Sequence, residues 1–368
     1  MKPVRSSLPA LLLTLLLTLL LTGACATTDT SSTAAAPVEP VASTSPAAEL
    51  RLGYFANVTH ASAVYGVGAG TFAAELGGTT LKTQVFNAGP AAVEALFAGS
   101  LDAAYLGPNP AVNGFVKSQG EALRIVAGAT SGGAALVVRS DVTDPQQLRG
   151  QKLASPQTGG TQDIALRTWL AGQGFTVDED GGGDVVIRAQ ENAQTLSEFQ
   201  AGRIAGAWVP EPWASRLVLE GGGKVLVDEK DLWPGGRFVT THLVVRTEYL
   251  REHPETVEAL LRGQVAAQEQ IEADPDQAKE VVNAQLEQRT GKALKPETIE
   301  RAFANIEITE DPVASSLKTS AENAFTTGLV EEADLTGIYD LTLLREVLAS
   351  DVDDAGLGAP SDSSTKKD

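Results

Sequence analysis

The sequence contains few of the residues that most often carry catalysis or bind metals. It has one cysteine and three histidines among 368 residues. None of the motifs HExxH, CxxC or GxSxG occurs in it. A single cysteine cannot form an internal disulfide bond. We therefore expect a protein that is not an enzyme and that holds neither a metal ion nor a cofactor.

Basic residues are also scarce, because 28 lysines and arginines face 47 aspartates and glutamates, for a net charge of −19. Such an acidic surface argues against nucleic acid or an anionic lipid surface as a partner, since both are negatively charged. It does not exclude a small anion bound in a cleft, where nearby N–H dipoles outweigh distant, screened charges.

The longest apolar run, LLLTLLLTLLL at 11–21, follows Lys2 and Arg5 and is too short to span a bilayer as a helix. It is typical of a secretory signal peptide, which we place at 1–24. The LTGAC that follows resembles a bacterial lipobox. We therefore predict lipid anchoring through Cys25, on the outer face of the cytoplasmic membrane. The alternative is a secreted protein cleaved nearby, with Cys25 lost or free.

Two segments lack the apolar periodicity of folded structure. Residues 25–48 are rich in Ser, Thr, Ala and Pro, which predicts a flexible tether. Residues 351–368 are polar and acidic, which predicts a disordered tail. The folded part is long enough for about two domains.

One short pattern occurs twice. AGSLDAAYLGPNP at 98–110 returns as AGRIAGAWVPEPW at 201–213, which takes Gly99 onto Gly202 and Tyr105 onto Trp208. Each copy predicts the same unit, a strand, a helix closed by glycine and a second strand parallel to the first. Chance similarity of such simple motifs is the alternative.

A second repeated segment is LVVR, a predicted strand at 136–139 and again at 243–246. We interpret the two copies as paired hinge strands between two lobes. The fold class is then α/β, with two lobes that each contain a mixed sheet flanked by helices. Lobe 1 would comprise 49–140 and 240–350, and lobe 2 would comprise 141–239. The pattern after residue 250 is helical and would cover lobe 1.

This organisation predicts where a ligand binds. In open α/β sheets, ligands lie beyond the carboxyl ends of the strands. Each repeat ends in a loop at such an edge, and two edges that face each other form a clamp that can hinge. We expect the binding site between the lobes.

The strongest site candidate is ASPQTGGTQDIAL at 154–166, a loop that opens a helix. The glycines permit close backbone approach. Free N–H groups and the helix dipole favour an anion at this position. Thr158, Thr161 and Gln162 would add side-chain hydrogen bonds, although Asp163 could offset the dipole. An ordinary capped turn is the alternative.

Other turns add further candidates, and those at the start of a helix could instead cap that helix. Glu211 could accept an ammonium group at the far end of a ligand or cap the next helix. Trp213 could pack on an alkyl group or lie in a lobe interface. The remaining candidates are Asn57, Thr59, His60, Asn109, Ser131 and Gly132.

Several of these motifs together resemble the solute-binding proteins of ABC importers for aliphatic sulfonates, nitrate and taurine. They are LRLGYFANVTHA, FNAGPAAVEALFAGSLDAAYLGPNPA, RIVAGATSGGAALVVR, SPQTGGTQDIALRTWL and GAWVPEPWASRLVLEGGGKVLVDE. The resemblance covers roughly residues 50–345. It implies the two-lobe periplasmic-binding fold of the second type, a ligand held in the cleft, and a membrane permease with its ATPase as partners.

The resemblance leaves the solute open. We expect a monomeric receptor for a small anion, with an aliphatic sulfonate as the leading choice and nitrate, bicarbonate or taurine as alternatives within the class. The alternative from another class is an enzyme that acts on a pyrimidine precursor of thiamin. A sensor subunit of the same fold without an importer is a third alternative.

Overall fold

The computed structural model describes residues 46–358. The predicted signal peptide, Cys25 and all but the last three residues of the predicted tether lie outside this range. In a search confined to 46–358, no helix was both long enough and apolar enough to cross a membrane.

The first sheet has six strands. They are β1 (Glu49–Phe55), β2 (Thr80–Phe86), β3 (Ala103–Leu106), β4 (Leu123–Gly132), β10 (Val239–Arg246) and β11 (Ile306–Ile308). Their order is β11-β4-β10-β3-β1-β2. β1 pairs in parallel with β2 and β3, whereas β10 is antiparallel to β3 and β4. The sheet is therefore mixed, with its parallel strands at one side.

The second sheet has five strands. They are β5 (Ala134–Arg139), β6 (Lys152–Ser155), β7 (Val186–Ala189), β8 (Gly206–Pro210) and β9 (Gly223–Asp228). Their order is β7-β6-β8-β5-β9. β6 is parallel to β7 and β8, and β5 is antiparallel to β8 and β9. This arrangement repeats that of β2-β1-β3-β10-β4, and the two mixed sheets with their helices confirm the expected fold class.

Helices follow most parallel strands and cover both sheets. Those up to Leu219 are α1 (Ala61–Ala69), α2 (Thr71–Leu76), α3 (Gly89–Phe97), α4 (Pro108–Lys117), α5 (Thr161–Gly172), α6 (Asn192–Gln200) and α7 (Trp213–Leu219). The later ones are α8 (Thr247–Glu252), α9 (Pro254–Ala273), α10 (Pro275–Thr290), α11 (Pro296–Ala304), α12 (Ala314–Thr326) and α13 (Thr342–Leu348).

The repeated sequence forms the same structure twice. α3 precedes β3 and α6 precedes β8, and a glycine with positive φ closes each helix (φ 65° at Gly99, 68° at Gly202). The N–H of Gly99 donates to the Leu96 oxygen at 3.0 Å, and the N–H of Gly202 donates to the Phe199 oxygen at 2.9 Å. These are equivalent bonds of a Schellman C-cap, which requires the left-handed backbone that glycine adopts freely.

The two LVVR strands do not pair with each other, which corrects the expected hinge. Residues 136–139 lie in β5 of the second sheet and 243–246 lie in β10 of the first. They occupy equivalent places, because Leu136 lies opposite Trp208 and Leu243 lies opposite Tyr105. The sequence similarity therefore reflects the same antiparallel position in two sheets rather than contact between the copies.

The lobe boundary expected at residue 140 is therefore wrong. The chain leaves the first sheet at Gly132 and enters the second at Ala134. Gly132 and Gly133 both have positive φ, 77° and 76°, which lets the backbone turn abruptly between the sheets. The return crossing runs through two short 3-10 helices between β9 and β10.

The chain end also differs from the expectation. Residues 351–358 were predicted to be disordered, but Val352 and Leu357 are buried against the first lobe. The Arg345 Nη2 atom donates to the Val352 oxygen at 2.6 Å. The two apolar side chains explain why this part folds. Residues 359–368 lie outside the described part of the chain.

The two lobes bury their apolar residues differently. Lobe 1 has one continuous core on which the long helix α9 packs, whereas lobe 2 has two separate clusters. Tyr105 and Trp208 are fully buried at the matching central positions. The carboxyl ends of the parallel strands carry the loops that form the site described next.

Candidate functional site

A cleft lies where the strand-to-helix turns of the two lobes face each other. It encloses an empty volume of about 430 Å³, part of which is open to solvent. Lobe 1 contributes Phe55, Asn57, Thr59, His60, Asn87, Ala88, Gly89, Gly107, Pro110 and Thr240 to its lining. Lobe 2 contributes Pro156, Gln157, Gly160, Thr161, Gln162, Asn192 and Pro210. The cleft therefore has walls from both sheets, as expected for a clamp.

The amino end of α5 presents free donors to this cleft. Within the described residues, the N–H groups of Thr161 and Gln162 have no acceptor, since they belong to the first turn of α5, the N-cap residue is Gly160 and no side chain caps the helix. N–H groups at a helix start attract anions through their partial positive charge. The amino end of α6, at Asn192, lies in the same cleft.

Asp163 does not oppose this arrangement. Its carboxylate accepts hydrogen bonds from Ser155 Oγ at 2.8 Å, from the Gly159 N–H at 3.0 Å and from Arg167 Nε at 2.9 Å. The buried ion pair with Arg167 neutralises the carboxylate and fixes the loop that precedes α5. Asp163 therefore positions the loop, and the free N–H groups of α5 remain available.

Two buried polar atoms in the cleft have no partner among the described residues. They are Thr161 Oγ1 and Asn192 Oδ1, on side chains that are 7% and 8% exposed. Buried polar groups are nearly always hydrogen-bonded, so each unpaired one needs an explanation. A β-carbon at Gly107 would collide with Thr161 Oγ1, which shows how closely the two lobes approach. The two unpaired atoms belong to the first residues of α5 and α6.

His60 is a neutral member of the cleft. Its Nδ1 accepts from the Phe55 N–H at 3.3 Å, so the neutral ring carries its proton on Nε2. Burial lowers the pKa of His60 to about 3. The imidazole is therefore uncharged at neutral pH, and its Nε2–H is a hydrogen-bond donor rather than a positive charge.

No charged side chain lines the cleft within residues 46–358. Glu191 lies nearby at the surface, where its Oε1 accepts from Asn87 Nδ2 at 2.7 Å across the lobes. The lining consists of N–H groups, amides, hydroxyls, an imidazole, prolines and one phenyl ring. Such a lining can hold a small anion by hydrogen bonds in a low-dielectric site.

The cleft brings together five of the residues predicted from sequence: Asn57, Thr59, His60, Thr161 and Gln162. It does not bring in Asn109, Ser131, Gly132, Thr158, Glu211 or Trp213. Asn109 Nδ2 donates to the Ser320 oxygen at 2.9 Å, and Thr158 is exposed. Ser131 and Gly132 lie at the first crossing between the sheets, where β11 pairs with them.

Glu211 faces away from the cleft, toward the crossing. Its carboxylate accepts from Ser215 N–H and Ser215 Oγ, each at 3.0 Å, and from Asn305 Nδ2 at 2.7 Å. The bond to the Ser215 N–H caps the start of α7, which is the alternative role predicted for Glu211 from the sequence. Burial raises the pKa of Glu211. Because Asn305 belongs to lobe 1, Glu211 also connects the lobes.

Trp213 also lies between the lobes but outside the main cleft. Its Nε1 donates to Asn57 Oδ1 at 2.9 Å, and the Arg216 guanidinium stacks over its ring at 4.6 Å. The bond to Asn57 gives the indole nitrogen the partner that a half-buried tryptophan requires.

Pro156, Gln157 and Gly160 belong to the predicted loop at 154–166 but were not named as ligand contacts. The other lining residues that the sequence did not predict are Phe55, Asn87, Ala88, Gly89, Gly107, Pro110, Asn192, Pro210 and Thr240. Asn87 and Asn192 follow β2 and β7, the outer parallel strands of the two sheets. The same strand-end rule that selected Thr161 would have selected both residues. That signal was present in the sequence at both turns.

The two mixed sheets, the double crossing and the shared cleft define a two-lobe binding-protein fold of the periplasmic type. Residues 43–286 match the NMT1-like family, and the chain belongs to that family.

One relative is the taurine-binding periplasmic protein of Escherichia coli, 29% identical over 210 residues. That match spans 56% of this chain and 62% of the relative.

Solved structures confirm the fold. The alkanesulfonate-binding protein of Xanthomonas axonopodis pv. citri superposes with a TM-score of 0.63 at 22% identity, over 78% of this chain and 96% of that one. The periplasmic nitrate-binding protein of Synechocystis PCC 6803 gives 0.66 at 17% identity, over 85% and 91%. At these identities, the comparison establishes the architecture of the chain and leaves its solute to the chemistry of the cleft.

Proposed function

We propose that this protein is the solute-binding component of an ABC importer and captures a small anion, an aliphatic sulfonate, between its lobes. The observation that carries the proposal is the pair of unpaired buried atoms, Thr161 Oγ1 and Asn192 Oδ1, beside two helix starts. A hydroxyl donates readily to a sulfonate oxygen. The amide of Asn192 can rotate to present its NH₂ group in place of the oxygen.

The comparisons support the class. Relatives in sequence and in structure carry names of taurine-, alkanesulfonate- and nitrate-binding proteins. A binding protein returns its ligand unchanged, so we propose no catalytic role. A permease and its ATPase would be the partners, and the protein would act as a monomer.

A neutral cleft can still bind an anion with useful affinity. Hydrogen bonds to a charged group contribute roughly 1.5–3 kcal/mol each, about twice the value for neutral pairs. Charges of the acidic chain that lie more than about 8 Å from the cleft are largely screened at physiological salt, whatever the net charge of −19. The local N–H groups therefore determine the sign of the ligand.

Calorimetric titration with ethanesulfonate, taurine, nitrate and bicarbonate tests the proposal. We expect binding of ethanesulfonate, together with a raised melting temperature, because a ligand that binds only the folded state stabilises it. If neither ethanesulfonate nor taurine binds, the assignment of a sulfonate as the solute is wrong. Binding of nitrate or bicarbonate alone would identify another anion of the same class as the solute.

Thr161 and Thr158 form a matched pair for mutation. Thr161→Ala removes the orphaned hydroxyl and should weaken ethanesulfonate binding about tenfold. Thr158 belongs to the same loop but is exposed and does not line the cleft, so Thr158→Ala should leave affinity unchanged. Equal affinities of the two variants would show that the Thr161 hydroxyl does not bind the sulfonate.

Lipid anchoring remains a proposal of its own. Cys25 lies outside the described residues, so its modification rests on the resemblance of LTGAC to a lipobox. Detergent partitioning of the expressed protein should depend on this thiol. A Cys25→Ser variant that still partitions into detergent would contradict the anchor without affecting the binding proposal.

A further inference from the structure

A second cavity lies between the lobes, beside the main cleft, and we name it the side chamber. Its empty volume is about 650 Å³, including space open to solvent. Lobe 1 contributes Ala56, Leu286, Thr290, Lys292, Ala293 and Leu294, and lobe 2 contributes Ala193, Pro212, Trp213 and Arg216. The side chamber is therefore lined by both lobes.

The side chamber and the cleft share a wall. Ala56 and Ala193 line the side chamber, whereas their chain neighbours Asn57 and Asn192 line the cleft. The wall is completed by the bond from Trp213 Nε1 to Asn57 Oδ1, at 2.9 Å. This side-chain hydrogen bond joins the lobes at the boundary of the two spaces, next to the bond from the Val58 N–H to the Glu211 oxygen at 3.1 Å.

The charge of the side chamber is positive. Arg216 and Lys292 line it, and no carboxylate does so within the described residues. Arg216 pairs with Glu220, with Nε and Oε1 at 2.8 Å, so part of its charge is neutralised. Lys292 is exposed and forms no ion pair with residues 46–358. The positive charge of this pocket contrasts with the net charge of −19 of the whole chain.

The remaining lining of the side chamber is apolar. Leu286, Leu294, Pro212 and Trp213 present aliphatic and aromatic surface. Surface of this kind favours the hydrocarbon part of a ligand. The combination differs from that of the cleft, which offers neutral hydrogen-bond donors.

We propose that the side chamber receives the tail of the solute and selects its terminal group. This inference rests on the proposed function, since it takes the sulfonate head to lie in the cleft. The favoured class is a sulfonate with a short hydrocarbon tail that ends in an uncharged or anionic group. A tail that ends in ammonium is disfavoured because it would meet Arg216 and Lys292. Glu211, the acid considered for an ammonium partner, faces the crossing instead.

Four probes separate head from tail in calorimetry: methanesulfonate, propane-1-sulfonate, 3-sulfopropionate and 3-aminopropanesulfonate. Propane-1-sulfonate should bind about tenfold more tightly than methanesulfonate, as expected for two buried methylenes. 3-Sulfopropionate should bind at least about tenfold more tightly than 3-aminopropanesulfonate, because the two tails carry opposite charges.

Two pairs of variants test the side chamber itself. Lys292→Gln should reduce the preference for the carboxylate tail on the order of threefold, as expected for an exposed charge. Lys295→Gln removes the next cation, which does not line the side chamber, and should change nothing. Ala193→Leu fills the space and should abolish the gain from propyl over methyl, whereas Gln194→Leu next to it should preserve that gain.

The outcomes are distinguishable. Binding of methanesulfonate with no effect of tail length or terminal charge overturns the side chamber and leaves the proposed function standing. Tighter binding of 3-aminopropanesulfonate than of 3-sulfopropionate also overturns it. Silence from all four sulfonates overturns the proposed function, and the side chamber falls with it.

Discussion

Each lobe has a buried aromatic residue at the same central position of its sheet, but the polar atom of that residue is hydrogen-bonded to a different kind of side chain in each lobe. Tyr105 in β3 and Trp208 in β8 are both fully buried. The Tyr105 hydroxyl donates to Gln264 Oε1 at 2.8 Å, and the Trp208 Nε1–H donates to Glu229 Oε2 at 2.7 Å. A neutral amide on α9 serves lobe 1, and an acid at the return crossing serves lobe 2.

This difference makes the stability of one lobe sensitive to pH. Gln264 does not titrate. Burial raises the pKa of Glu229 to about 7, although the bond from Trp208 lowers it in part. The carboxyl group is therefore protonated in the folded state at a pH where it is ionised in the unfolded chain. The same sheet topology therefore accommodates a neutral partner in lobe 1 and an ionisable partner in lobe 2, and only the ionisable partner makes stability depend on pH.

The largest expected effect follows from Glu229. Because the pKa of Glu229 is raised in the folded state, its contribution to the unfolding free energy is fully present below the ordinary pKa of 4.5 and is lost as the pH rises toward 7. Glu229→Gln keeps an acceptor for Trp208 and cannot ionise, so its stability relative to wild type should rise by about 3 kcal/mol between pH 4.5 and 7. Urea midpoints at several pH values measure this.

Asp231→Asn is the matched control, since Asp231 is an exposed carboxylate in the same 3-10 helix. It should follow the wild-type curve. Parallel curves for wild type and Glu229→Gln would show that Glu229 ionises normally, and the contrast between the lobes would disappear.

A smaller effect is expected in lobe 1. Tyr105→Phe leaves the Gln264 oxygen buried without its donor, while Gln264 Nε2 keeps its bond to the Gly128 oxygen. The unfolding free energy should fall by about 2 kcal/mol, by the same amount at pH 5 and pH 8. A loss that changes with pH would contradict the assignment of a non-titrating partner to this lobe.

The smallest effect tests the similarity rather than the difference. Gly99 and Gly202 close equivalent helices, and nothing lies within 4 Å of a β-carbon added at either. Gly99→Ala and Gly202→Ala should therefore each cost about 1 kcal/mol, from backbone strain alone. Clearly unequal values in thermal unfolding would show that the two caps are not equivalent.

The repeat made much of the fold predictable. The spacing of Gly99 and Gly202 reveals two equal units, and each glycine is required by the local backbone of its C-cap. The partner of each LVVR strand was not predictable, because a strand that is apolar on both faces fits either sheet. The two glycines at the first crossing mark the true boundary, and their role becomes visible only with the sheet order.

The site was predictable where a local rule applied. Thr161 and Gln162 follow from the free N–H groups of a helix start, which depend only on neighbouring residues. The sequence suggested that Glu211 could cap the next helix. It could not show the bond to Asn305, since that contact joins residues 94 positions apart. The side chamber is lined by residues of α10 and α7, which come from different lobes, and no local pattern encodes that placement.

A nitrogen-15 NMR titration of the protein with ethanesulfonate tests most directly whether the anion binds at the two helix starts. We predict that the backbone amides of Thr161, Gln162 and Asn192 shift together and saturate with one dissociation constant. Saturable shifts confined to residues outside the cleft, with these three amides unchanged, would contradict binding at the helix starts.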